Sequence, residues 1–284
     1  MNETKIKEAI ETYFKEMSEM KTITITDWKQ KIIKNGCSEF SDEQTEIFHK
    51  YIKDFDKLIM KGVPTALFAL MKSSLLQTIF DAYGKTKDWY HDNWLTVITK
   101  YPSFFTDPAS VKYHGNYTGG LFDHSIQVFY NCLKTRQSYG IKADEINPYA
   151  IIFHDLCKCG SYQYDMKAIG DNYCRLTDES ALNPFAVNKF IEETNTVVFR
   201  YDNSNEGIQH GPESLRRLLI TFSMDVAFVE RIIPEAWQFV IAYHMGPYDC
   251  SPNEQNAFGK MCEKHPEVLM LHQADMIASK IQKM

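Results

Sequence analysis

Ile151-Ile152-Phe153-His154-Asp155-Leu156-Cys157-Lys158 sets an imidazole and a carboxylate side by side in an apolar run. Taken alone, a His-Asp pair on such a segment is as a rule a core histidine hydrogen-bonded to its neighbour. The rest of the chain argues otherwise. His124 lies thirty positions upstream of His154, and His210, His244 and Asp275 follow downstream. Borderline and hard divalent cations take imidazole nitrogen and carboxylate oxygen together, so five or six such groups converging from separate helices make a metal site.

The context of each group supports convergence. His124 follows Tyr113-His114-Gly115-Asn116-Tyr117-Thr118-Gly119-Gly120-Leu121-Phe122-Asp123, where a glycine pair ends a loop and helical spacing through Ile126, Phe129, Tyr130 and Leu133 begins. His210 follows the polar loop Asp202-Asn203-Ser204-Asn205-Glu206-Gly207 and precedes a helical pattern from Glu213 to Phe222. Pro234 opens a further helix that ends near Gly246 and puts His244 at its C-terminus. Asp275 stands within an apolar helix from Pro266 to Ala278, where a carboxylate requires a partner.

The ordered set His124, His154-Asp155, His210, His244, Asp275 resembles the HD-domain metal-dependent phosphohydrolase superfamily. The phrases His114-Gly115-Asn116-Tyr117-Thr118-Gly119-Gly120-Leu121-Phe122-Asp123-His124-Ser125, Phe153-His154-Asp155-Leu156-Cys157-Lys158, His210-Gly211-Pro212-Glu213-Ser214, Tyr243-His244-Met245-Gly246 and Leu271-His272-Gln273-Ala274-Asp275 are similar to those of a bacterial and prophage HD branch. That branch is related to the HD domain of a bacterial 3'-to-5' exoribonuclease, although no nucleic-acid-binding barrel is recognisable ahead of the similar region, roughly residues 100 to 284.

The resemblance implies an all-α fold, a helical HD bundle, and a hydrolase using one or two divalent ions per chain (Mn, Fe, Co, Ni, Zn or Mg). His124, His154, Asp155 and Asp275 resemble the four core ligands of the family. His210 and His244 match the pair that binds a second ion in its two-metal members, with Asp155 as bridge; otherwise they orient substrate around a single ion. Lys158, three residues after Asp155 and so on the same helix face, matches the lysine that often follows the His-Asp pair and can reach a phosphate. His114 is a candidate proton donor or substrate contact. The implied substrate is a small phosphorylated molecule such as a nucleotide. The alternatives are a 3'-to-5' exonuclease on short single-stranded nucleic acid and a non-catalytic regulatory HD module.

Composition narrows the setting. A net charge of −6 argues against a protein that coats nucleic-acid backbone by bulk electrostatics, without excluding a local basic groove drawn from Lys158, Lys167, Arg175, Lys189, Arg200, Arg216 and Arg217. Seven cysteines at irregular spacing cannot all pair within one chain, which points to a reducing compartment; Cys157 and Cys159 read as structural. With no apolar run long enough to span a membrane and a charged, amphipathic start, the expected location is the cytoplasm.

Along the chain, residues 1–85 read as a helical extension and residues 86–284 as the HD-type domain. The extension shows helical spacing through Ile6, Ile10, Tyr13 and Phe14, again from Phe48 to Ile59, and from Pro64 to Gly84. A small β-hairpin insertion is expected after the His-Asp helix: Ser161 to Met166 and Tyr173 to Thr177 alternate around the turn Gly170-Asp171-Asn172. The extended piece from Thr196 to Tyr201 follows. Oligomeric state is not legible in the sequence.

Overall fold

A computed structural model describes residues 2–20, 65–84, 93–111, 113–116, 119–167, 173–175, 197–201, 209–222, 226–249 and 252–282. Helices dominate them, and the architecture is all-α. The α-helices are α1 (Glu3–Met20), α2 (Thr65–Gly84), α3 (Asn93–Lys100), α4 (Gly120–Thr135), α5 (Pro148–Ile152), α6 (His210–Thr221), α7 (Val226–Ile232), α8 (Glu235–Tyr243), α9 (Pro252–Lys264) and α10 (Pro266–Met276). Short strands β1 (Tyr162–Lys167), β2 (Tyr173–Arg175) and β3 (Val197–Tyr201) form a sheet of order β2-β1-β3. β1 and β2 are antiparallel, with Asp165 opposite Arg175. The turn Gly170-Asp171-Asn172, the helical spacing from Phe48 to Ile59 and the loop 202–208 lie outside the described residues.

The chain divides into two compact units, one comprising Met1–Lys7, Thr78–Gln163 and Tyr201–Met284, the other Glu8–Gln77 and Tyr164–Arg200. These divisions do not coincide with a boundary at residue 85. All the candidate metal residues belong to the first unit.

In that unit α4 is the central helix. Leu121, Phe122, Ile126, Val128, Phe129, Cys132 and Leu133 are buried around most of its circumference, as expected of a helix packed on several sides. It packs against α5 and α10; α8 packs against α5, α6 and α10. Aromatic side chains back this arrangement. Phe104 meets Phe122 and Phe153, and Phe80 lies 4.5 Å from Tyr149 by ring centroid, each such pair adding about 0.5–1.5 kcal/mol beyond burial.

The sequence reading puts His154 and Asp155 in a helix, and the structure corrects it. α5 begins with Asn147 accepting from Ala150 N at 3.0 Å and with Pro148 in its first turn, but it stops at Ile152. His154 and Asp155 form a turn, and Leu156–Lys158 is a 3-10 turn. His154 Nδ1 donates to Ile151 O at 2.7 Å, occupying the carbonyl that a continuing α-helix would give to Asp155 N–H. The same device ends α8, where His244 Nδ1 donates to Ile241 O at 2.8 Å.

Candidate metal centre

These two bonds have a chemical consequence. An Nδ1–H donated to a backbone carbonyl leaves the Nε2 lone pair as the free face of the ring, the arrangement by which metal-binding histidines are oriented. His154 and His244 are both fully buried and point Nε2 at Asp155, at 3.5 Å from Oδ2 and 3.4 Å from Oδ1 respectively. From α4, His124 Nε2 comes within 3.6 Å of Asp155 Oδ2 and 3.0 Å of Asp275 Oδ1 on α10. Thus four elements deliver donors to one point.

Two close-packed helix contacts set this convergence. A Cβ on Gly211 would lie 2.3 Å from Ala242 O, so only glycine lets the start of α6 press against the end of α8, one residue after His210 and two before His244. His210 is thereby placed with a ring nitrogen within 4.8 Å of ligand atoms of both Asp155 and Cys157. At the other side, a Cβ on Gly120 would meet Gly115 O at 2.0 Å. That contact holds the loop of His114 on the first turn of α4, with the His114 and His124 rings 4.6 Å apart.

The donors form two groups that share Asp155. His124 and His154 join it in one, and His210 and Cys157 join it in the other, each with ligand atoms within 4.8 Å of one another. Asp275 extends the first group through His124, and His244 approaches the free oxygen of Asp155. His124 Nε2, His154 Nε2, His244 Nε2 and Asp155 Oδ1 are buried without a well-directed hydrogen bond. Native interiors pair nearly all such atoms, and imidazole plus carboxylate is a donor set that fits a divalent cation.

Electrostatics favour ionised carboxylates and a neutral His154, and they favour the charged form of His244. Burial raises the pKa of Asp155, but Lys158, His154 and His244 outweigh it and hold the carboxyl well below its usual range. Asp275 behaves alike: burial opposes ionisation, and His124, its Nε2 3.0 Å from Oδ1, prevails. Burial pushes His154 down to about 4, keeping it neutral near pH 7. For His244 burial acts downward too, but Asp155 raises its pKa overall.

Lys158 does lie against Asp155, with Nζ 2.6 Å from Oδ2, because a 3-10 turn brings residues three apart into register. Its side chain is 11% exposed, and Asp155 holds its ammonium protonated against the pull of burial. His114 is lowered to about 3 by burial first, then by His124 and Lys158, so it is a neutral imidazole at pH 7 and serves as a hydrogen-bonding contact more readily than as a proton donor. His272 supports the site from behind, Nδ1 lying 2.9 Å from His244 O.

Three contributors escape a reading by residue type. Cys157 stands beside Asp155 and His210; burial, then Asp155, pushes its thiol up to about 12. Arg217 clasps the turn bearing the His-Asp pair, donating from Nη1 to Leu156 O at 3.1 Å and Cys159 O at 2.7 Å while Nε pairs with Glu213. Asn131, two turns after His124 on the same face of α4, donates to Ala274 O at 3.2 Å and so fixes Asp275 opposite His124. The seven-residue spacing of His124 and Asn131 was the available signal for the last of these. Beside the cluster, residues flanking His210 and His244, among them Gln209, Tyr243 and Met245, line a cavity of about 340 Å³.

Comparison with protein-family models, with curated proteins and with solved structures gives no match for this chain.

Proposed function

We propose that the chain is a metal-dependent phosphohydrolase of HD type, with the strands around residues 162–175 as a hairpin inserted in a helical bundle, acting in the cytoplasm on a small phosphorylated molecule, a nucleotide above all. The observation that supports this reading is the cluster of buried imidazole Nε2 atoms around Asp155, oriented by Nδ1 bonds to backbone carbonyls. His124, His154, Asp155 and Asp275 would hold one ion, and Asp155, His210 and His244 a second. A bound divalent ion lowers the pKa of water toward neutrality and neutralises charge on phosphoryl oxygens.

The remaining residues supply orientation and charge. Lys158 keeps Asp155 ionised and carries an ammonium at the edge of the cluster, where a phosphoryl oxygen gains a charge-assisted bond. His114, neutral and beside His124, offers a ring nitrogen to substrate. The cavity next to His210 and His244 is lined by Gln238, Phe239, Tyr243 and Glu235 without a lysine or arginine, so phosphate belongs to the cluster and the cavity suits an uncharged portion of the substrate. A nuclease needs a basic and aromatic track toward the metal, yet Arg216 and Arg217 are both engaged by Glu213. No described helix is long and apolar enough to cross a membrane.

Metal analysis of the purified protein, joined to a screen of nucleotides, cyclic nucleotides and 3'-labelled oligonucleotides, tests the proposal. Phosphate release should vanish with chelator and return with manganese, iron or cobalt. Full activity in metal-stripped protein would overturn it, and release of nucleotides from the labelled oligonucleotide in its place would favour the nuclease.

A further inference from the structure

We infer that Cys157 is itself a metal ligand, its thiolate joining Asp155 and His210 on the second ion and making that position sulfur-bearing while the first is held by nitrogen and oxygen alone. The inference rests on the two-metal reading above and adds to it a residue and a metal preference. Its basis is geometric. Sγ of Cys157 and the ligand atoms of Asp155 and His210 lie within 4.8 Å of one another, and the other face of the buried Asp155 is approached by His244 Nε2, 3.4 Å from Oδ1.

Bonds of about 2.0–2.3 Å to a shared tetrahedral zinc put ligand atoms roughly 3.3–3.7 Å apart, so a closing of at most about 1.5 Å completes the shell. The 3-10 turn makes this possible. In a continuous α-helix Asp155 and Cys157 would point to faces about 160° apart, whereas the break at His154 and the clasp of Arg217 on Leu156 and Cys159 carbonyls fold the turn onto α6. Cys157 N–H also donates to Ser214 Oγ on α6 at 3.0 Å, anchoring the residue beside His210.

Charge gives a second reason. If Asp155 is shared between two dications and Asp275 serves the first, the second position has two imidazoles and half a carboxylate. A thiolate supplies the missing negative charge; as the sulfur–metal bond forms, the S–H bond breaks and its proton passes to solvent. A soft sulfur ligand favours zinc over manganese or magnesium at that position alone.

X-ray absorption at the zinc edge of the full-length, zinc-loaded protein reads this directly, with zinc stoichiometry measured on the same sample. The wild type should show a sulfur shell near 2.3 Å, beside the nitrogen and oxygen shell at about 2.0–2.1 Å. Cys157→Ser should lose the sulfur shell, and Cys159→Ser, its neighbour in sequence, should keep it. Cobalt-loaded wild type gives an independent signal, a near-ultraviolet thiolate-to-cobalt charge-transfer band that requires no variant to fold. Bound zinc with only nitrogen and oxygen neighbours, or a sulfur shell that survives in Cys157→Ser, overturns the inference and leaves the metal reading standing. Absence of any bound zinc or cobalt overturns both.

Discussion

Asp155→Asn removes the charge at the centre of the cluster and almost none of its volume, so its cost separates electrostatics from packing. Four cationic or potentially cationic groups face this carboxylate. The three imidazoles of His124, His154 and His244 can remain neutral when it is lost, but Lys158 cannot escape: its Nζ sits 2.6 Å from Oδ2 at 11% exposure. Stranding one member of a buried ion pair costs about 3–5 kcal/mol, and this pair sets the expected loss for the metal-free protein. Adding Lys158→Met to Asp155→Asn removes the stranded ammonium and should recover most of it, giving a strongly non-additive cycle. Urea unfolding in chelator measures the stability terms, and titration with manganese or zinc measures binding, which both variants should lose at the two positions together. A loss below about 1 kcal/mol, or a double variant no more stable than the single one, would refute the buried-pair argument. Unchanged metal stoichiometry would refute Asp155 as the shared ligand.

Lys158→Ala should retain metal while turnover falls roughly tenfold to a thousandfold, if about 1.4–4 kcal/mol of transition-state stabilisation is lost; an unchanged rate removes it from the mechanism. Gly211→Val forces apart the contact in which a Cβ would lie 2.3 Å from Ala242 O, so it should release the second ion and spare the first, as two manganese anomalous peaks falling to one would show. Metal-free protein should weaken on acidification. His154 is depressed from 6.5 to about 4, so its contribution is complete above pH 6.5, declines as pH falls and is gone below about 4, worth about 3 kcal/mol. The depressed Asp155 and Asp275 act in the same direction at lower pH, whereas the raised His244 opposes them, its contribution being lost as pH rises through its folded value. Urea midpoints at pH 7.5, 5.5 and 4.5 check the sign, and constant stability would contradict it.

The helices around the cluster were legible because their punctuation is local. Pro234, Pro266, Gly119 and the apolar spacing of α4 mark beginnings and buried faces, and histidines or carboxylates inside such segments stand out as groups in need of partners. The break at His154 was not legible, since it depends on a side-chain nitrogen competing for Ile151 O, a choice made only once the ring is buried against α8. Gly211 entered the sequence reading only within the phrase His210-Gly211-Pro212-Glu213-Ser214, and its necessity lies in Ala242, thirty-one positions away in sequence. Cys157 read as structural because no second cysteine pair accompanies Cys157 and Cys159; its place beside Asp155 and His210 depends on the 3-10 turn, which sequence spacing does not show.

The same bonds that were hidden explain why fold and site are inseparable here. His154 and His244 each end a helix by taking the carbonyl three residues back, so the ring that terminates the backbone ladder is also the ring whose Nε2 faces Asp155. A longer α5 or α8 would restore a backbone hydrogen bond but would rotate its histidine about 100° per added residue away from the cluster. Ending both helices early costs backbone hydrogen bonds, recovered in part by the Nδ1 bonds and by Arg217 on the carbonyls of Leu156 and Cys159. Orientation of the two imidazoles is therefore fixed by main-chain termination alone, and on the proposed metal reading the donors would need little reorganisation to share an ion.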